Sequence, residues 1–77
     1  MSLKKTKQVE KLMSQLEDIK TAFEEIRDSR QENYDNKSEK WQEGDKGNEE
    51  SENLSSLDDI CNALDSAFQE IDNLFEE

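Results

Sequence analysis

Two arrays of apolar residues, spaced alternately three and four positions apart, constrain this 77-residue chain more than any other feature. The chain contains no proline, which would interrupt a helix. Such spacing keeps apolar side chains on one helix face, in heptad positions a and d. The arrays are Val9, Leu12, Leu16, Ile19, Phe23, Ile26 and then Leu54, Leu57, Cys61, Leu64, Phe68, Ile71, Phe75. They predict an all-α fold with helix 1 at about residues 3–33 and helix 2 at about 48–76.

A polar segment at about residues 34–47 separates the arrays and contains both glycines, which favour a chain reversal. In an antiparallel hairpin, opposed seam residues have numbers with a constant sum. A sum of 80 gives six pairs, all apolar, with Ile19 opposite Cys61, and places Arg30 opposite Glu50 just beyond the seam. A displacement by one heptad places a charged residue opposite an apolar one, which is costly to bury. We therefore predict a single domain, residues 1–77, forming an antiparallel, coiled-coil-like hairpin.

The two flanks of this seam differ in charge. At the e positions, three aspartates of helix 2 face a side of helix 1 that carries two cations. These residues are Asp58, Asp65 and Asp72 against Met13, Lys20 and Arg27. The g positions are uncharged and partly apolar: Gln8, Gln15 and Ala22 against Ile60, Ala67 and Leu74. Because a second helix cannot cover that wide an apolar arc, we expect two hairpins to form a homodimeric four-helix bundle. Ile60, Ala67 and Leu74 are accordingly candidate partner-binding residues.

The residue types present leave little scope for catalysis. Histidine is absent and Cys61 is the only cysteine, so neither a disulfide within the chain nor a zinc site is expected. Cys61 occupies a seam position, where a small buried residue is expected. The many carboxylates fall on solvent-facing positions and not in a cleft, where acid–base catalysis needs them. We expect no enzyme activity, no cofactor and no metal site.

The net charge of −11 disfavours direct contact with nucleic acid. It leaves open the alternative of an acidic rod that imitates a nucleic-acid backbone and inhibits a basic nucleic-acid-binding protein. The sequence lacks an apolar run of about 18 residues, so no membrane span is expected. The start, MSLKKTKQVEK, lacks the apolar region of a signal peptide. These features predict a cytoplasmic protein.

The only tyrosine and the only tryptophan lie in the polar segment YDNKSEKWQEGDKG. One interpretation is that Tyr34 and Trp41 fold back as a lid that covers Ile26 and Leu54 at the bundle end. The other is that Trp41 is exposed and anchors a protein partner, because tryptophan is frequent in binding hot spots. Both aromatic residues are therefore candidate partner-binding residues.

The same segment carries a recognisable pattern: Tyr34, Asp35, Ser38, Glu39, Trp41, Gln42, Glu43, Lys46 and Gly47. It resembles a family of small uncharacterised phage and prophage proteins, in which a Tyr-Asp-Asn…Ser-Glu-x-Trp-Gln-Glu…Lys-Gly turn joins two helices. Gly44 and Asp45 stand where the family has Ser-Glu. The resemblance implies a helical hairpin and a phage origin, and no established activity. We expect a small, non-enzymatic, acidic interaction protein whose biochemical role the sequence does not specify.

Overall fold

The computed structural model describes residues 2–76 as two long helices, a short helix between them and a small strand pair. The elements are β1 (Leu3–Lys4), α1 (Lys7–Asp35), α2 (Glu39–Glu43), α3 (Asp45–Leu74) and β2 (Phe75–Glu76). The all-α class is confirmed, and α1 packs against α3. The segment predicted as a polar turn contains α2 and the first turn of α3, so the chain reverses through a helical corner. The two strands pair in parallel and join the ends of the chain.

A hydroxyl side chain caps the N-terminus of each of the first two helices. The Thr6 hydroxyl accepts a hydrogen bond from the Val9 amide at 3.2 Å, and the Ser38 hydroxyl accepts one from the Trp41 amide at 3.2 Å. These bonds satisfy amides that have no partner within the first turn of a helix. Helix α3 begins after Gly44, which offers no side-chain cap. It therefore starts three residues before the predicted boundary, without the usual capping signal.

A row of ion pairs shows that α1 and α3 run antiparallel. Partner numbers fall along α3 as they rise along α1: Lys5–Asp72, Lys20–Asp65, Arg27–Asp58 and Arg30–Glu50. The predicted complementary e flank and the predicted position of Arg30 opposite Glu50 are confirmed. Asp72 pairs with Lys5, which precedes α1, since Met13 at the opposed e position carries no charge; Met13 itself is buried.

The rotation of α1 differs from the predicted seam. Met13, Leu54 and Cys61 are the buried hydrophobic residues in the described part of the chain, whereas the d-position residues of α1 are about half exposed. The e positions turn toward α3 instead. Lys20 and Arg27 are half-buried there, because their aliphatic stems can cover apolar surface while the charged ends reach aspartates. One neighbouring helix offers a single line of contact, so the d row of α1 stays uncovered.

The hairpin forms a single layer. Its principal dimensions are 54 × 19 × 12 Å and its radius of gyration is 17.2 Å, whereas a compact domain of this length has a radius of gyration of about 11–12 Å. Helical domains normally bury the apolar stripe of each layer against a second layer. Residues 2–76 of this chain form one such layer.

Candidate functional site: an open apolar face and a helical corner

One side of the hairpin exposes two rows of large apolar side chains. We call them the open face: the d row of α1 and the g row of α3. Their exposed members are Leu12 (54%), Ile19 (47%), Ile26 (46%), Ile60 (39%) and Leu74 (44%). Ala67, midway between Ile60 and Leu74, is half-buried. The structure thus places the three predicted residues of α3 in one row on this face.

The sequence-based prediction did not include the α1 row, because the d positions were assigned to the seam inside the hairpin. The residues beside the d row nevertheless indicate that this row is exposed. Gln8, Gln15 and Ala22, which lie beside the d row on the same side of α1, are uncharged and exposed. The apolar arc of α1 is therefore bordered by neutral residues on this side and by Lys20 and Arg27 on the other, which predicts that the neutral side is the one left open.

A shallow groove of about 380 Å³ interrupts the open face near the corner. Ile26, Leu57 and Ile60 supply its apolar walls, and Arg30, Asn53 and Ser56 also line it. Toward the chain ends the face carries Leu12, the most exposed of its side chains, and Leu74. The open face is therefore recessed near the corner.

The corner between α1 and α3 is held by the Gln42 side chain of α2 and by close packing of α2 against Gly47. The Gln42 side-chain amide donates to the carbonyl oxygens of Tyr34 at 2.8 Å and Lys37 at 3.3 Å, which ties α2 to the end of α1. Gly47 is buried, and a Cβ atom there would overlap the carbonyl oxygens of Trp41 and Gln42. Glycine at this position lets α2 approach α3 closely.

This use of glycine corrects the sequence interpretation. Both glycines were attributed to the dihedral freedom needed for a chain reversal, but neither has a positive φ. Gly44 has φ −80° and ψ −179°, which other residues also adopt. Only Gly47 is required by its surroundings, and the requirement is steric.

The two aromatic residues meet at this corner. The rings of Tyr34 and Trp41 pack edge to face with centroids 6.2 Å apart, and the Lys37 ammonium lies 5.2 Å from the Trp41 ring centroid. Both aromatic side chains are half-buried. Together they form one wall of a second open groove, of about 360 Å³, beside the Arg30–Glu50 pair. Tyr34 and Trp41 are thus brought together, on a different surface from Ile60, Ala67 and Leu74.

The Arg30–Glu50 pair closes the polar end of the hairpin. The Arg30 guanidinium lowers the pKa of the Glu50 carboxyl below its ordinary 4.5, mainly through a direct hydrogen bond; desolvation opposes this, and a hydrogen bond from Asn53 adds to it. The hydrogen bond to Glu50 likewise raises the pKa of Arg30. At neutral pH both groups are charged and join α1 to α3.

Cys61 is a free thiol and is buried, as predicted. Among residues 2–76, no cluster of three or more His, Cys, Asp or Glu side chains could hold a metal ion. The described helices include none with the length and apolar character needed to cross a bilayer.

Comparison of the chain with known protein families, with curated proteins and with solved structures gives no match. What can be inferred about function therefore comes from the hairpin's own surfaces. Of these, the open face has the chemistry of a helix-packing surface, since it is apolar, elongated and bordered by polar residues.

Proposed function

We propose that this chain is a small, non-enzymatic, acidic interaction protein that works as a homodimer. In this proposal two hairpins pack their open faces together and form a four-helix bundle. The observation that carries it is the exposure of Leu12, Ile19 and Ile26 on α1 beside Ile60 and Leu74 on α3.

The exposed area of the hairpin is large enough for an interface with a partner of about its own size. The chain exposes 6047 Å², whereas a compact monomer of its mass exposes about 4,900 Å². The excess, roughly 1,100 Å², exceeds the area of about 800 Å² that each partner buries in a standard protein interface. A second copy offers an identical apolar surface of the required length and supplies the missing layer.

The ion pairs within the hairpin argue against nucleic-acid mimicry. Asp58, Asp65 and Asp72 form one regular row on α3, and each lies within 4 Å of a cation of the same chain. Their charge is therefore partly neutralised before any partner binds. A mimic needs regularly spaced free carboxylates, so the internal pairing favours the interaction protein.

A phage origin is part of the same proposal and rests on the sequence resemblance of the corner segment. Ser38, Gln42 and Gly47, which match the family pattern, cap α2, bind α1 and admit close packing, respectively. The resemblance therefore concerns residues that build a particular corner. In the proposed dimer Tyr34 and Trp41 lie outside the joined faces, where they can contact a further protein.

Sedimentation of matched variants tests the dimer. We expect the unmodified protein to be dimeric at micromolar concentration, and Ile60→Glu with Leu74→Glu to give monomers or unfolded chains. Ser66→Glu with Asn73→Glu adds the same charge at exposed positions of α3 outside the open face, and it should leave the dimer intact. Ile19→Gln with Ile26→Gln should weaken association without adding charge. A stable monomer of the unmodified protein at micromolar concentration would refute the proposal.

The effect of salt separates the two functions. Two chains of net charge −11 repel each other, and salt screens that repulsion, so the proposed dimer should tighten as ionic strength rises. A nucleic-acid mimic bound to a basic protein should dissociate under the same conditions. Capture of basic nucleic-acid-binding proteins at low salt, with release at high salt, would favour the mimic.

A further inference from the structure

We propose that the two hairpins of this dimer lie with the same polarity, so that α1 packs on α3 of the second copy and both Trp41 corners lie at one end. This inference rests on the proposed function and deepens it, because it specifies how the second copy occupies the open face. It follows from the charges of the two long helices and of the residues that border the open face.

Two-fold symmetry allows two face-to-face arrangements of the hairpins. With the axis along the helices, α1 lies over α3 of the second copy and the corners meet at one end. With the axis across the helices, α1 lies over α1, α3 lies over α3, and the corners lie at opposite ends. Adjacent helices are antiparallel in both arrangements, so the helix dipoles do not distinguish them.

The total charges of the two long helices favour the first arrangement. Helix α1 has five Lys and Arg against eight Asp and Glu, a net charge of −3, and α3 has one against nine, a net charge of −8. An axis across the helices would lay the more acidic helix against its own copy. An axis along the helices places each α3 against the less acidic α1, which lowers the repulsion.

The residues that border the open face carry the same asymmetry. On each long helix the outer border of this face is the row of heptad c positions, which lies next to the g row. The α1 border consists of Lys11, Asp18, Glu25 and Glu32, and the α3 border of Glu49, Ser56, Ala63 and Glu70, all of them exposed. The α1 border is therefore mainly acidic, whereas the α3 border is uncharged at its middle.

The level of each border residue follows from the pairing within the hairpin. Residues paired at its two ends have numbers that sum to about 80: Arg30 with Glu50 at the corner, and Lys4 with Glu76 at the termini. Opposed members of the two borders, such as Lys11 and Glu70, have numbers that sum to 81. The two borders therefore match level by level.

The first arrangement sets the α1 border against the α3 border of the second copy at the same levels. Lys11 then meets Glu70 of the second copy, and the acidic middle of the α1 border meets the uncharged Ser56 and Ala63. Symmetry repeats each contact. With the axis across the helices, the α1 border would face itself, and three carboxylates with one lysine would lie against the same set.

Glu32 and Glu49 form the like-charged contact that remains in the first arrangement. Both lie toward the corner beyond Ile26, the last apolar residue of the d row. Both are exposed, and solvent ions screen such charges over about 8 Å at physiological ionic strength. The repulsion between them is therefore weaker than between carboxylates held beside the joined apolar rows.

Distances between spin labels test the arrangement. Lys40 and Lys7 are exposed, lie near opposite ends of the hairpin and are outside the open face, so Lys40→Cys and Lys7→Cys can carry labels. Cys61 is buried and should remain unlabelled in the folded protein. In dimers of either variant we expect the labels within about 35 Å of each other, the diagonal of a bundle two helix diameters wide on each side.

A mixed dimer supplies the reciprocal measurement. One chain carries Lys40→Cys and the other Lys7→Cys, and each has a different affinity tag for purification. Same polarity predicts a separation of more than about 40 Å, because α1 alone spans about 43 Å. Long separations between like labels with a short mixed one would overturn this arrangement and leave the dimer standing. Labelled protein that sediments as a monomer would overturn the arrangement and the proposed function together.

An exchange of border charges tests the contact of Lys11 with Glu70. Lys11→Glu should raise the dissociation constant of the dimer by about two- to tenfold, because it replaces two attractive pairs with repulsive ones. Lys11→Glu combined with Glu70→Lys keeps the net charge and restores opposite charges, so its dissociation constant should return to within about twofold of the unmodified value. With the axis across the helices these two residues never face each other. A double variant that stays as weak as Lys11→Glu alone would overturn the arrangement.

Discussion

Arg30 of α1 and Glu50 of α3 form a bidentate ion pair. The Arg30 Nε donates to Oε2 of Glu50 at 3.0 Å, and Nη2 donates to Oε1 at 2.8 Å. The planar guanidinium matches the carboxylate in this geometry, which a lysine could not reproduce. The pair lies just beyond the apolar seam, between the helical corner and the core. It therefore marks the boundary between the apolar seam and the reversal.

The first prediction concerns pH. Arg30 lowers the pKa of Glu50 in the folded protein, so the stabilisation from this pair is present above the unfolded-state pKa and is lost as pH falls through the folded-state pKa. We expect Glu50→Gln to melt at a lower temperature than the unmodified protein at pH 7, with the difference shrinking below about pH 4. Thermal unfolding across pH measures this. Glu52→Gln, at an exposed position outside the pair, is the control; a Glu50→Gln difference as large at pH 3 as at pH 7 would contradict the prediction.

The second prediction concerns the corner packing. A methyl group at Gly47 overlaps backbone oxygens of α2, so Gly47→Ala should displace α2 and lower the free energy of unfolding by about 1–3 kcal/mol. Gly44→Ala is the matched control, because its Cβ would lie 3.5 Å from the Trp41 carbonyl oxygen, an ordinary contact. Denaturant unfolding compares the two. Equal stability of both variants would show that α2 does not pack against Gly47.

The third prediction uses the uncapped start of α3. Gly44 has an extended backbone similar to that of Ser38, whose φ is −63° and ψ is 154° and whose hydroxyl caps α2. Gly44→Ser should add a capping hydroxyl and reduce the freedom of the unfolded chain, and so raise the free energy of unfolding by about 1 kcal/mol. Gly44→Ala lacks the oxygen and should not give this gain. A lower melting temperature for Gly44→Ser would contradict the expected geometry.

The fourth prediction separates the two roles of Trp41. If the indole is a lid, Trp41→Ala should lower the free energy of unfolding by about 1–3 kcal/mol, less than the 3–5 kcal/mol of a fully buried aromatic. Trp41→Phe should retain part of the edge contact with Tyr34. The emission of the folded protein should be blue-shifted relative to the unfolded chain. Water-exposed emission together with an unchanged melting temperature in Trp41→Ala would instead identify Trp41 as a partner anchor.

The long helices and their pairing could be predicted from sequence because two independent patterns agree. Apolar spacing predicted α1 and α3, and the charges of Lys20 and Arg27 against Asp65 and Asp58 predicted the flank on which they meet. The rotation of α1 could not be read from apolar spacing alone. Half-buried lysine and arginine stems occupy part of the contact surface, and a pattern of apolar residues does not register them.

The helical corner was predicted only as a polar turn. Helix α2 has five residues, fewer than any periodic pattern requires. The Gln42 side chain hydrogen-bonds it to the end of α1, a contact that no sequence pattern indicates. Of the candidate partner-binding residues, Ile60 and Leu74 lie on the open face. Leu12, Ile19 and Ile26 were missed for a related reason: a heptad pattern shows which residues share a helix face, but not how many neighbours that face will have.

The order of the ion pairs along the hairpin has a consequence for folding. Arg30 and Glu50 are 20 residues apart, whereas Lys20 and Asp65 are 45 apart. Closing a short loop costs less entropy than closing a long one, so we expect folding to nucleate at the corner and to propagate toward the termini like a zipper. Substitutions at Gly47 should then slow folding, whereas substitutions at Met13 should mainly speed unfolding. The paired strands β1 and β2 would form last and open first.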